Sequence, residues 1–468
     1  MVANRPVVTW PLSTFVAYNM VMQKSSEKSK QKTRWVVVLL LMLLWPGGAV
    51  LAQQDEHYTW DLEQCLAYAR ASNIELNRLR LTKSSGAQDL SLSKAAVLPD
   101  VNASATGSVT NYTNINTGTT TAVSAGVYGV NSSMTLYRGG YVQNDIRQKD
   151  VALEQAGLNV AAGENSITLQ IAQAYINILL DKESVVYYRD LVQTSKVQLS
   201  QGQQRYDAGS IALKSLVQLK AQLATDQYSL TTAINTERLD ILALKQLLQL
   251  PSGTAFDVVK PASIDTAIDI PDLEQVQDEA LKMRPEIKAG IAGVKIAELD
   301  IKKAMAGYKP TLSLSGGVGT NHTSQQSYAP YRQAGDNLYQ DVSLSLSVPI
   351  FSKRVNKTNV AKSRINLEVS KLDLQNVQLN LSQDVERAYI NVRNAQSQFV
   401  AASENMKYNE EAYRIAGEAI RIGSANMVDY ILQHNAYVQA MQSYLKAKYS
   451  LTLYQKIYAF YKGEPIKL

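Results

Sequence analysis

The sequence has 468 residues, a formal net charge of +6 and a pI near 9.0. Residues 1–52 carry six cations and one carboxylate, so the chain after them is almost neutral and its pI does not indicate nucleic-acid binding. The only cysteine, Cys65, excludes an intramolecular disulfide framework. It lies too far past Ala52 for acylation at a cleavage site there, and a small buried side chain on the first helix is its simplest role.

The amino-terminal 52 residues have the pattern of a secretory signal peptide. Residues 1–34 are polar and basic, residues 35–45 are continuously apolar, and small residues around Ala49 and Ala52 precede Gln53. The apolar run is short for a membrane span, which makes a retained anchor the less favoured alternative. Since the polar part is long for a leader, Met20 or Met22 is an alternative true start.

The remaining chain consists of two copies of one unit. Asp61–Gln64 recurs as Asp272–Gln275, 211 positions later (272 − 61), and Ala174–Asn177 recurs as Ala388–Asn391, 214 positions later (388 − 174). Chance identities would not keep the spacing between matching segments so nearly constant. The sequence therefore predicts a first structural repeat over 53–250, a linker over 251–271, a second structural repeat over 272–462 and a short carboxy-terminal tail over 463–468.

Each repeat opens with a short helix. Asp61 with Gln64, and Asp272 with Gln275, resemble capping boxes at the start of amphipathic helices. The first of these helices is predicted to reach about Ala71. The second is predicted to end at Arg284-Pro285, because proline cannot continue a helix but suits the start of the next one. Helix is then predicted to just before Pro99 and Pro310.

After each of these prolines the hydrophobic period changes to two, which is typical of strands. The pattern predicts two strands per repeat and four per chain, within about 100–137 and 311–351, with a returning strand around Tyr128–Tyr137. One face of each strand is apolar, and the other carries small polar residues. Strands of about ten residues with this alternation fit a transmembrane barrel. Tyrosines cluster near their ends, as an interfacial girdle would.

Four strands cannot close a barrel, because the edge strands would remain unpaired in lipid. Several copies of the chain must therefore share one barrel, whose polar inner face implies a wet lumen. In a soluble sandwich, by contrast, the apolar faces would need a second sheet to cover them.

A long helical hairpin follows the strands in each repeat. No proline occurs between Val151 and Leu250, and the run is interrupted only around Arg205–Ser210, where Gly209 suits a reversing turn. The prediction is two arms of about 60 residues, or roughly 90 Å each at 1.5 Å per residue. In the second repeat, leucines recur every seven residues from Leu367 to Leu381, a spacing typical of supercoiling helices.

No catalytic or metal-binding set is predicted. His57, His322 and His434 are scattered without a second ligand at metal spacing. Gly316–Gly319 is a lone glycine cluster that indicates a strand or loop rather than a phosphate site. With histidine so sparse, no nucleophile and base can be paired. The chain is therefore expected not to be an enzyme and to need no cofactor.

The duplicated order of short helix, long helix, strand pair and long helical hairpin resembles the outer-membrane factor (TolC) family of efflux and secretion channels. Leu136–Gly140 is similar to the family's strand-to-helix turn, Arg205–Gly209 to its hairpin-tip motif, and Asp61–Ala67 to its opening helix. The resemblance covers nearly all of residues 58–462.

The resemblance implies a mainly α-helical fold with a membrane β part. Internally duplicated long helical hairpins would form an α-barrel in the periplasm, and four strands per chain would contribute to a transmembrane β-barrel of twelve strands in the outer membrane of a homotrimer. The implied partners are a periplasmic adaptor (membrane fusion) protein and, through it, an inner-membrane pump of the RND, ABC or MFS type. No nucleic acid is implied.

The resemblance also implies where the functional residues lie. The hairpin tips would close the periplasmic end and contact the adaptor through Arg205, Gly209, Ser210, Arg421, Gly423 and Ser424. Asp429 is a candidate pore constriction, as a ring of three carboxylates. Some members constrict the pore with a tyrosine, an arginine and a second acidic residue as well. Aligned on Gly423, this sequence has Ile420, Ala425 and Leu432 at those positions.

Two alternatives remain open from the sequence. A soluble periplasmic coiled-coil scaffold, with its strands in a small sheet, is the rival to a passive conduit for drugs or other solutes. Type I secretion of a protein substrate would use the same architecture as drug efflux, so the sequence does not separate these two exports.

Overall fold

The computed structural model describes residues 58–261 and 270–467. The predicted signal peptide over 1–52, its alternative start sites and His57 lie outside these residues. Within the described part of the chain, no helix combines the length and the apolarity needed to cross a membrane.

The two repeats contain the same major elements in the same order. The first comprises β1 (Tyr58–Trp60), α1 (Leu62–Ser72), α2 (Ile74–Ala95), β2 (Asp100–Asn114), β3 (Thr119–Arg138), α3 (Tyr141–Asp207) and α4 (Leu213–Leu247). The second comprises β4 (Phe256–Val258), α5 (Leu273–Met283), α6 (Pro285–Ala306), β5 (Thr311–Thr323), α7 (Pro330–Asp336), β6 (Tyr339–Ser347), α8 (Val355–Ile422) and α9 (Met427–Lys462).

The two opening helices are capped differently. Asp61 and Gln64 form the predicted capping box, in which each side chain accepts a hydrogen bond from the other residue's backbone N–H, at 2.7 and 3.0 Å. The second predicted box is wrong. Asp272 accepts only from the N–H of Glu274, while the side chain of Gln275 donates to the carboxylate of Glu279, one turn along the helix.

The predicted boundary at Arg284-Pro285 is confirmed. Helix α5 ends at Met283, Arg284 is extended (φ −67°, ψ 134°), and Pro285 is the first residue of α6. The ring of a proline disfavours helical geometry in the residue before it, which explains why the break falls here.

The arms of the long hairpins are unequal, so the prediction of about 60 residues in each arm is wrong. Helix α3 has 67 residues and α4 only 35. The rest of α3 is covered by α2, which has 22 residues and begins where α4 ends, since the N–H of Ile74 donates to Gln249 Oε1 at 2.9 Å. In the second repeat, α9 (36 residues) and α6 (22) flank the 68-residue α8.

The four long strands form one antiparallel sheet in the order β2-β3-β5-β6. They have 15, 20, 13 and 9 residues, so the predicted length of about ten holds only for β6, and the returning strand begins at Thr119 instead of Tyr128.

The register of this sheet collects the apolar residues of neighbouring strands on one face. Met134 lies opposite Leu314, which lies opposite Leu344. One residue along, the register aligns the polar side chains of Ser133, Ser315 and Ser343 on the other face. The pairing therefore extends the alternation of single strands into two chemically distinct faces.

A second, parallel pair, β1 with β4, was not predicted, and β4 lies inside the segment 251–271 that the sequence indicated as a linker. The pair packs beside α1 and α3: the Trp60 and Phe256 rings lie 5.5 Å apart, and the Tyr175 hydroxyl donates to the Val259 carbonyl at 2.6 Å. Cys65 is buried in this core, as predicted, and burial raises the pKa of its thiol to about 12.

Charged residues line the contact between α3 and α4. Lys182 lies 2.7 Å from Asp257 and 3.4 Å from Glu237. Next to it, burial and the neighbouring Asp240 carboxyl raise the pKa of Asp181 to about 7. The folded state therefore holds a proton that the unfolded chain releases near pH 4, and the stability from Asp181 is lost as the pH rises through about 7.

We expect Asp181→Asn to remove the loss of stability that the wild-type chain shows as the pH rises through about 7. The wild-type chain should unfold at a lower temperature at pH 8 than at pH 5, and the variant should show a smaller difference, measured by circular dichroism in detergent. Asp190→Asn, at an exposed position of the same helix, is the control and should keep the wild-type pH dependence. An unchanged pH dependence in Asp181→Asn would contradict the assignment.

Candidate functional site at the hairpin tips

Each long hairpin reverses at a glycine in the left-handed conformation. Gly209 has φ +73° and Gly423 has φ +80°. The N–H of the following serine donates back to the helix, from Ser210 to the Arg205 carbonyl at 2.8 Å and from Ser424 to the Ala419 carbonyl at 2.9 Å. This is the Schellman arrangement, which satisfies carbonyls at a helix end, and it explains why Gly-Ser recurs in both repeats.

The two tips lie side by side and are joined by Arg205, whose guanidinium donates to the Ile420 carbonyl at 3.0 Å. A cavity of about 660 Å³ lies between them, and four of the predicted tip residues line it: Arg205, Ser210, Arg421 and Gly423. Gly209 and Ser424 shape the turns and are absent from this lining. The Arg421 side chain is exposed and pairs with Glu418 at 2.7 Å.

Asp429 is exposed in the first turn of α9, where its N–H donates to Asn426 Oδ1 at 2.9 Å. Asn426 is therefore the helix cap, and the Asp429 carboxylate is left facing solvent within the chain. At the other aligned positions, Ile420 supplies the carbonyl bound by Arg205, Ala425 lines the cavity, and Leu432 is exposed. Asp429 does not line this cavity.

A buried polar cluster, which the sequence did not predict, lies next to the tips. His434 on α9 is fully buried, and its Nε2 lies 3.6 Å from an Asp226 carboxylate oxygen on α4. Asp226, 3% exposed, accepts hydrogen bonds from Ser195 on α3 at 2.5 Å and from Gln222 at 3.0 Å. We call Ser195, Gln222, Asp226 and His434 the Asp226 cluster. Its contacts join the α3–α4 hairpin to α9.

Tyrosines extend this contact to α8. The rings of Tyr413 and Tyr437 stack with centroids 5.3 Å apart, and the hydroxyls of Tyr413 and Tyr430 lie 2.8 Å apart. Gln198 on α3 donates to the Tyr413 hydroxyl at 3.2 Å. Burial raises the pKa of Tyr430, so its hydroxyl remains a neutral hydrogen-bonding group. The signal in the sequence was the spacing of Tyr430, His434 and Tyr437, which puts all three on one helix face.

None of this geometry resembles a catalytic or metal centre. His322 stacks on Tyr128 in the sheet, far along the chain from His434. Among the described residues, no three His, Cys, Asp or Glu side chains are grouped to hold a metal ion. The fold instead joins two long helical hairpins, one from each repeat, to a single antiparallel β-sheet.

Comparisons with known proteins identify the family. The family model described as outer membrane efflux protein matches residues 66–248 and 276–456. The chain belongs to this family. It is 23% identical over 430 residues to outer membrane protein TolC of Escherichia coli, covering 89% of this chain and 84% of TolC. It is 24% identical over 292 residues to toxin and drug export protein A of Aggregatibacter actinomycetemcomitans, covering 61% and 60% of the two chains.

The fold is also found among solved structures. The outer membrane channel CmeC of Campylobacter jejuni superposes with a TM-score of 0.74 at 19% identity, covering 86% of each chain. The protein is thus located in the outer membrane, and its helical part extends into the periplasm. These relatives do not favour a soluble scaffold. Since the family consists of channels, it also supports the expectation that the chain is not an enzyme.

We expect Asp226→Ala to lower the free energy of unfolding by about 2–3 kcal/mol, because two buried donors lose their acceptor. Guanidinium unfolding in detergent measures this loss. Asp226→Asn, which retains one oxygen acceptor, should lose less. Asp384→Ala, at a surface position paired with Arg387, is the control and should change little. Equal losses in Asp226→Ala and Asp384→Ala would contradict a stabilising role for the Asp226 cluster.

Proposed function

We propose that three copies of this chain share one β-barrel of twelve strands in the outer membrane, continuous with a periplasmic tube of helices. The assembly acts as the passive outer conduit of a tripartite system, moving drugs or other solutes from the periplasm to the exterior. The observation that carries this proposal is the four-stranded sheet, which has one apolar face and two edges that pair with no further strand in the described part of the chain.

The chemistry of the sheet supports a barrel wall. On β6, Val342, Leu344 and Leu346 project from one face, and Val342 is 84% exposed. An apolar face this open needs lipid or another protein against it. The opposite face carries serines, asparagines and Asp341, which suit a water-filled lumen. Because β2 and β6 are edge strands, their outer backbone groups need strands from other copies.

The helices offer surfaces for the same assembly. Exposed apolar side chains include Leu81 and Leu92 on α2, and Leu372 and Leu379 on α8. Within the chain, α2 packs mainly on α3, and α8 packs mainly on α6 and α9. Contact between α2 of one copy and α8 of another would cover both apolar surfaces and continue the tube.

The tips supply the proposed docking surface for a periplasmic adaptor. Their exposed polar residues, and the cavity lined by Arg205 and Arg421, face away from the sheet at the far ends of the hairpins. The adaptor would connect them to an inner-membrane pump of the RND, ABC or MFS type, which provides the energy. Asp429 would add three carboxylates to the pore.

The names of the relatives are compatible with two kinds of exported substrate, small solutes and proteins. One is named a toxin and drug export protein, and another is named an outer membrane efflux protein. We propose small-solute efflux as the main activity and type I secretion as the alternative. Identifying the inner-membrane partner that copurifies with the channel would decide between them.

The assembly is tested by cross-linking the two edges. Ser104→Cys on β2 and Ser343→Cys on β6 lie on the polar face of the sheet. The native Cys65 thiol is buried and its pKa is raised to about 12, so it should not react. With a thiol cross-linker in membranes, the double variant should give dimers and trimers, while each single variant should give far fewer. A double variant that stays monomeric would contradict the shared barrel.

The tip assignment is tested at Gly423. Gly423→Pro should impair export, because proline fixes φ near −65° and removes the N–H that donates at the end of α8. Trimers should remain intact, since the tip is remote from the sheet. Export of a fluorescent efflux substrate by intact cells measures the effect. Gly86→Ala on α2 is the control, because a Cβ there would lie 3.9 Å from Leu153 without strain and the residue is not part of the tips. Normal export by Gly423→Pro would refute the tip assignment.

A further inference from the structure

The turns that lead from sheet to long helix have the same backbone in both repeats but different residues. Gly139-Gly140 precede α3 with φ of +61° and +84°. Lys353-Arg354, 214 positions later (353 − 139), precede α8 with φ of +47° and +68°. Glycine adopts this conformation freely, whereas two consecutive side chains are disfavoured in it. The second repeat therefore has two cationic residues at a left-handed turn where the first repeat has two glycines, which adopt that conformation without strain.

The surroundings of Lys353 and Arg354 are apolar on one side and cationic on the other. Ile350 and Phe351, which follow the end of β6, are 96% and 83% exposed. Lys357, in the first turn of α8, is exposed too. None of the three cations forms an ion pair within the residues that the structure describes. We call Ile350, Phe351, Lys353, Arg354 and Lys357 the junction surface.

The corresponding turn of the first repeat is less exposed, since Leu136 and Tyr137, at the positions of Ile350 and Phe351, are 45% and 44% exposed. The cation within this turn's own sequence, Arg138, lies 4.5 Å above the ring of Tyr141 and is engaged there. The next two residues are the glycines. Two adjacent cations within this turn thus occur in the second repeat and not in the first, and they lie beside the edge strand β6.

We propose that the junction surface binds the phosphate of an anionic phospholipid headgroup at the periplasmic face of the outer membrane. This inference rests on the proposed barrel, because the end of β6 then lies at that face. Ile350 and Phe351 would enter the boundary of the acyl chains, and Lys353 and Arg354 would reach the phosphate. A cation beside an exposed apolar pair matches the order of layers in a membrane interface. Arginine and lysine form strong charge-assisted hydrogen bonds to phosphate.

The proposal is tested with the full chain in neutral detergent micelles containing increasing phosphatidylglycerol, with phosphatidylcholine as the uncharged reference. Two double variants separate charge from backbone strain. Lys353→Gly with Arg354→Gly restores the residues of the first repeat and should fold at least as stably as the wild type. Lys353→Gln with Arg354→Gln removes only the charge. Both should bind phosphatidylglycerol about 25-fold more weakly, since each surface cation contributes about fivefold.

A matched control changes two cations elsewhere on α8. Lys371→Gln with Arg387→Gln, at exposed positions away from the junction surface, should keep wild-type lipid binding. Equal phosphatidylglycerol binding by the wild type and both junction variants would overturn the proposal, and so would equal binding of the two lipids by the wild type. If the cations instead pair with carboxylates of another copy, the junction variants will dissociate into monomers, which also overturns it. Wild-type protein that fails to form trimers would reject the proposed assembly itself.

Discussion

The structure depends on the backbone groups at the two open edges of its sheet. Strands β2 and β6 each pair on one side only, so a row of N–H and C=O groups along each edge has no strand beside it among residues 58–261 and 270–467. In hydrocarbon, every such group left unpaired costs several kcal/mol, because no water is present to replace the missing partner. A sheet with one apolar face can enter a membrane only if other strands pair with both edges. The need for other copies of the chain follows from this constraint.

In the helical part, each repeat must cover the full length of one very long helix, α3 or α8, with shorter helices. A helix of 67 or 68 residues is too long to be covered by a single returning arm, since α4 and α9 have only 35 and 36 residues. Each repeat covers the remaining length with its second helix, α2 or α6. The tips are stabilised by capping glycines, by Arg205 and by the Asp226 cluster. The part of the chain farthest from the sheet is therefore held together by polar contacts between hairpins.

Most of the fold could be predicted because the unit occurs twice in the sequence and because each hydrophobic pattern is kept over a long segment. The change from helical period to alternation after Pro99 and Pro310 located the sheet, and Pro285 fixed a helix boundary. The short pair β1 and β4 was missed, because three residues show no period. The arm lengths were wrong because nothing in the local sequence states which helix covers which part of α3. The second capping box failed at Gln275, whose side chain had an equally close partner in Glu279.

The candidate site was predicted less completely. The turns could be placed from Gly209 and Gly423, since a positive φ favours glycine. The pairing of His434 with Asp226 joins residues 208 positions apart (434 − 226) on different hairpins, which only the tertiary structure brings together. Lys353-Arg354 were missed for the opposite reason, because their left-handed backbone is one that their residue types disfavour.

Amide hydrogen exchange of the protein in lipid nanodiscs tests the central claim most directly. If other copies pair with both edges, the amides of Asp100–Asn114 and Tyr339–Ser347 will be protected as strongly as those of the inner strands β3 and β5. If the sheet remains open, the outward-facing amides of β2 and β6 will exchange far faster than the inner ladder, and the shared barrel will be contradicted.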